Sequence, residues 1–145
     1  MRTWVIISLV VLACSPIVLG RKEEPVEELK ARVESAKPSE RIDLCLKIAE
    51  RQLDTADKLY TSGKVDEAKA LIQEVVTYSE QARDAATGSG KKLKNAEISV
   101  RKMANKLRDV KHNLNFEDQP PVQEAIDHLE RVRTDLLARM FGSSK

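Results

Sequence analysis

The stretch IDLCLKIAERQLDTADKLYTSGKVDEAKALIQEVVTYSEQARDAA, residues 42–86, carries apolar residues at alternating steps of four and three on both sides of one glycine. Before Gly63 the series is Ile42, Leu46, Ala49, Leu53, Ala56 and Tyr60. After it come Val65, Ala68, Ile72, Val75, Ser79, Ala82 and Ala86. An average step of about 3.5 residues keeps one apolar seam of a helix turned toward a partner helix. Leu44, Cys45, Ile48, Leu59, Leu71 and Tyr78 flank the seams and widen them to the stripe of a globular bundle. Gly63 stands just past the first seam, where a left-handed residue closes a helix.

The same rhythm continues outward. Leu93, Ala96, Val100, Met103, Leu107, Val110 and Leu114 repeat it, and Val122, Ala125, Ile126, Leu129, Val132, Leu136 and Met140 follow it less regularly. Upstream, Val26, Leu29, Val33 and Ala36 mark a short helix opened by Pro25, and Ser39 within "KPSER" is expected to cap the next one. "TGSGK" at 87–91 and "NFEDQPP" at 115–121 are the remaining breaks. The spacing predicts long helices over 39–62, 65–87, 91–115 and 121–140, each about 34 Å long at 1.5 Å per residue. Short connections favour antiparallel neighbours. No alternating strand pattern occurs, so the expected fold is all-α: an antiparallel up-and-down bundle of four long helices plus a short N-terminal helix. Leu46, Leu53, Ile72, Val75, Val100, Met103, Leu107 and Leu129 form its expected core. Residues 21–38 read as a charged lead and short helix, 39–141 as the bundle, and 142–145 as a flexible tail.

Residues 1–20 have the parts of a secretory signal peptide. Arg2 is a minimal positive start, Trp4 to Ala13 an apolar run, and Pro16 a helix break ahead of small residues. Two cuts are open. Val18 and Gly20 suit cleavage before Arg21 and release. Val11-Leu12-Ala13-Cys14 resembles a lipobox, which would make Cys14 a lipidation site and tether the chain. Leu12, bulky where a small residue is usual, and the apolar Ile17-Val18-Leu19 favour release. The run of mostly apolar residues is short for a span of about 20. The expected localisation is therefore exported, periplasmic or secreted, with the lipoprotein anchor as the alternative.

Beyond the leader, 24 Lys and Arg (25 less Arg2) face 23 Asp and Glu. Dense but balanced charge argues against nucleic acid, which needs a clustered positive footprint, and leaves the leader or a lipid anchor as the only route to a membrane. Tyr60, Tyr78, Phe116 and Phe141 are the only aromatics after the leader, so no aromatic-lined ligand pocket is expected. Cys45 is the single cysteine after Cys14, which excludes a disulfide-stapled scaffold for the released chain.

The segment "ADKLYTSGKVDEA", 56–68, resembles the helix-turn-helix of a tetratricopeptide repeat. Ala56, Leu59, Gly63, Asp66-Glu67 and Ala68 stand at the small, apolar, turn, acidic and alanine positions, with Ile72 further on. Gln52, Val75 and Glu80 depart from that pattern, no second copy is visible, and the helices run longer than a 34-residue repeat provides for. The resemblance implies a helix-turn-helix over 56–68, the shape that a generic antiparallel hairpin would also give.

Few groups carry chemistry. His112 follows Asp109 by three residues and His128 follows Glu124 by four, which places each pair on one helix face. A metal site needs three or four converging donors, and no Glu-x-x-His of a di-iron bundle occurs. Cys45, on the shoulder of an apolar stripe, reads as a buried small hydrophobe, with a reactive thiol as the alternative. There is no Gly-x-Ser-x-Gly, and "TGSGKK" lacks the strand a phosphate loop follows. The expectation is a protein that is not an enzyme and has no catalytic, cofactor or metal residues. Three roles stay open: an interaction or structural module of an exported, bacterial-envelope type, acting through protein partners or self-association at its helix faces; a periplasmic holdase-like chaperone; and a metal- or redox-responsive sensor using His112, His128 or Cys45.

Overall fold

A computed structural model describes residues 23–142. The expected signal peptide, its cleavage point, Cys14 and the last residues of the tail lie outside them. The described chain is helical, without a strand: α1 (Val26–Val33), α2 (Pro38–Thr61), α3 (Val65–Ser89), α4 (Leu93–His112) and α5 (Gln119–Phe141), with one 3-10 turn at Phe116–Asp118.

Five helices pack together. α1 lies on α2, α2 along α3, and α4 along α5. The two pairs are joined where α3 meets α5 and α2 meets α4, and α3 also touches α4. All eight expected core residues are buried, and Ile42, Ile48, Val122, Val132 and Leu136 join them. Ala49, Ala56, Ala68, Ala82, Ala86, Ala96 and Ala104 are buried between these aliphatics, and such small side chains let helix axes approach toward the lower end of their usual 8–10 Å separation. Leu29 and Val33 of α1 belong to the same cluster. The charged lead therefore flows into a helix that shares the bundle's core.

The turns explain the boundaries. Gly63 is left-handed (φ +77°); Lys64 N–H donates to the Leu59 carbonyl at 2.9 Å and Gly63 N–H to that of Tyr60 at 3.0 Å, the paired bonds of a Schellman closure. Gly90 (φ +69°) ends α3 two residues later than the spacing predicted. Lys92 is also left-handed (φ +52°), so α4 begins at Leu93 instead of 91. Ser39 makes no cap. Pro38, with φ preset for a first helical position and no N–H to satisfy, starts α2 and leaves Lys37 at the cap position without a side-chain bond. α4 stops at His112, short of 115, because Asn113 and Leu114 tighten into three-residue turns onto Val110 and Lys111. α5 takes in Pro120 and Pro121 within its first turn, where missing N–H groups cost nothing.

Leu107 has no exposed surface. Leu107→Ala is expected to cost about 2–5 kcal/mol in urea unfolding, while Lys94→Ala, on the exposed side of the same helix, shifts the midpoint little. Equal shifts would refute the core assignment.

Candidate functional site

The sequence singled out His112, His128 and Cys45, and the structure does not bring them together. His112 is exposed in the last turn of α4. His128, half-buried on α5, has Nε2 3.9 Å from Glu124, the pair its spacing implied, and Nδ1 3.2 Å from Glu80 of α3. The second contact is the closer one, and no spacing along α5 could reveal it. Among the described residues, no group of three or more His, Cys, Asp and Glu is placed to hold a metal ion. Among them too, no helix is long and apolar enough to cross a membrane.

Cys45 is fully buried on α2, with Sγ 3.9 Å from Oε1 of Gln81 on α3. Burial pushes its thiol up to about 11, against a smaller opposing effect of Arg41. A thiol held that high is almost wholly protonated at neutral pH and a poor nucleophile.

Two polar groups unread in the sequence sit close to the core. Glu97 of α4 is 6% exposed; Arg133 of α5 donates to it at 2.7 Å and Arg101 approaches to 3.8 Å. Its position beside Ala96 marks it only as the shoulder of a seam. The other is Glu74 of α3. Lys30 of α1 donates to it at 2.9 Å, and Gln52 of α2 donates to its second oxygen, so one carboxylate ties three helices. Lys30 also lies 5.9 Å from the ring centre of Tyr78, a cation–π distance. The hydrogen bond to Glu74 raises the Lys30 ammonium above its ordinary value. Burial alone would raise the Glu74 carboxyl, but the hydrogen bonds from Lys30 and Gln52 outweigh it and hold it below the usual range.

The surface is marked by two aromatics. Phe116 is 86% and Phe141 81% exposed. Phe116, in the 3-10 turn between α4 and α5, overhangs a shallow hollow shared with Pro120 and edged by Lys111, Glu124, Asp127 and Arg131. The floor is braced: Lys111 donates to Gln123 at 2.7 Å, Gln123 to Asp127 at 2.9 Å, and Gln119 to the Leu114 carbonyl at 3.2 Å. The corner thus presents an exposed apolar ring beside braced charges of both signs. The sequence named Phe116 only as one of few aromatics; the break "NFEDQPP" was the available sign that it would escape the core.

No family model matches the chain, and no curated protein or solved structure matches it.

The shifted pair gives a pH dependence with a definite sign. Glu74, depressed in the folded state, contributes stability that is complete above its unfolded value of 4.5 and lost as pH falls through its lower folded value. Lys30, raised, contributes stability complete below 10.5 and lost as pH rises through its higher folded value. Glu74→Gln is expected to flatten part of the acid limb of a stability-versus-pH curve. An unchanged limb would contradict the pairing.

Proposed function

We propose that this chain is an exported helical interaction module that acts by binding protein partners, with the Phe116 corner of α4 and α5 as its contact point. We further infer that the four long helices run alternately up and down, as two antiparallel hairpins laid side by side. In support of the directions, Lys30-bound Glu74 and Gln81 of α3 meet Gln52 and Cys45 of α2 in reverse order. Lys111, Arg108 and Glu97 of α4 likewise meet Gln123, Glu130 and Arg133 of α5 in reverse order. Glu80, Arg83 and Thr87 of α3 instead meet His128, Asp135 and Arg139 of α5 in the same order. That pattern suits α3 and α5 pointing the same way.

The observation that carries the binding role is the exposure of Phe116. A large aromatic held out in water on a braced turn forgoes the burial worth about 1.5–3 kcal/mol to such a side chain, and aromatics are the residues that most often anchor interfaces. The near balance of charge favours a protein over a polyanion, and the few groups able to do chemistry favour binding over catalysis. The leader supports export.

A photocrosslinking residue at position 116, used in cells producing the full chain, is expected to trap one defined protein that a crosslinker at exposed Lys58 does not trap. With that protein purified, Phe116→Ala should weaken binding by about tenfold or more and leave thermal unfolding unchanged. Many unrelated adducts would favour the chaperone role, and no adduct above the Lys58 control would refute the site. Export is read from intact mass: a species spanning 21–145 is expected, and an acylated Cys14 would overturn release.

A further inference from the structure

Phe116 stands at one end of a longer surface. From Pro120 the exposed side of α5 continues past Glu124 and Asp127 to Arg131. Arg131 also edges a second hollow, which runs on between α3 and α5 as far as Asp135. The rise from Pro120 to Asp135 is about 22 Å at 1.5 Å per residue, or about four helical turns. An open trough of that length with an aromatic at its end has the form that takes an amphipathic helix.

Four charges line the trough beyond the ring. Lys111 reaches across from α4 to the level of Gln123, and Glu124, Asp127 and Arg131 follow along α5. Read away from Phe116, they run positive, negative, negative, positive. Neighbouring charges are paired between helices, Arg108 with Glu130 and Arg83 with Asp135. These four are held differently. Lys111 donates to the Gln123 amide at 2.7 Å, Asp127 accepts from the same amide at 2.9 Å, and Arg131 donates to the Asp127 backbone carbonyl at 3.4 Å. Glu124 stands 3.9 Å from the His128 ring. The side chains are fixed, and their charges face outward without a lysine, arginine or carboxylate against them among the described residues.

Their order decides between occupants. A second copy laid in full overlap on this face, pointing either way, would set like charge against like, because the run reads the same in both directions. An occupant that reads negative, positive, positive, negative is matched at every place. We infer, on the reading of the Phe116 corner as a protein-binding site, that its occupant is an amphipathic helix of another protein, about four turns long. An apolar side chain at one end of that helix packs on Phe116 and Pro120, and an acid, two bases and an acid follow on the same face. The ring provides most of the hold. Exposed charge pairs add little affinity each, but they fix the register and reject partners of the wrong pattern.

The test uses the full chain and two fluorescent helical peptides of about 18 residues. Both carry leucines at one end. One continues with acid, base, base, acid spaced to meet the four charges, and the other with base, acid, acid, base. By fluorescence anisotropy the first is expected to bind at least about tenfold more tightly than the second, with Phe116→Ala weakening both. A chain carrying Lys111→Glu, Glu124→Lys, Asp127→Lys and Arg131→Glu together is expected to reverse the preference. If that variant fails to fold, salt decides on the unaltered chain: the preference should shrink between about 0.05 M and about 0.5 M NaCl. Equal binding of the two peptides, binding of neither, or a preference indifferent to salt would overturn the inference. So would a dimer of the unaltered chain in sedimentation that Phe116→Ala abolishes. The crosslink at position 116 reports on the corner separately: a single trapped protein with no peptide preference leaves the binding role standing and removes only the charge pattern.

Discussion

The constraint on which the rest depends is the need to bury both sides of the α2–α3 hairpin. Each of these helices has an apolar stripe too broad for one partner, because Leu44, Cys45, Ile48 and Leu71 widen the central seam. Pairing α2 with α3 hides the middle of both stripes. The remaining edges must be covered by something else. α4 and α5 cover one side and α1, through Leu29 and Val33, covers the other. Among the described residues only Tyr60 and Tyr78 are packed aromatics, so the interior is filled by branched aliphatics and alanines, which demand close helix approach more than bulk.

Charge completes what the apolar seams begin. Lys92, just before α4, and Ser99 and Lys106 of α4 meet Asp43, Glu50 and Asp54 of α2 along the margin of their contact. The two lysine–aspartate pairs at the water-exposed margin add little stability each, but with the Ser99–Glu50 hydrogen bond between them they align in one register and penalise a helix that slides by a turn. Glu97 and Glu74 differ in kind. Both are carboxylates satisfied from other helices; Glu97 is buried, and a buried carboxylate is costly if its partner is removed, whereas Glu74 is only half-buried. They bind the elements into one arrangement more than they raise its stability.

The helices themselves were readable because apolar spacing reports on a single element. The 4-3 rhythm gave each long helix to within a few residues, and the core list needed only addition. Ends were less readable. Ser39 looked like a cap but lost the role to Pro38, and Lys92 takes a left-handed backbone that residue type alone does not announce. Phe116 counted as one of few aromatics, yet its exposure depends on the 3-10 turn that lifts it clear of both helices.

Sequence by itself determined that this protein is helical, where its helices lie and which face of each is apolar. Those properties follow from spacing within one element, where residues three and four apart are neighbours by geometry. Tertiary structure alone decided that Glu80 stands closer to His128 than Glu124 does, that Glu74 gathers Lys30 and Gln52, that Glu97 is buried against Arg133, and that Cys45 of α2 faces Gln81 of α3. Each of those contacts joins residues on different helices. Their distance is set by how seams meet in space, and no periodicity along one helix carries that information.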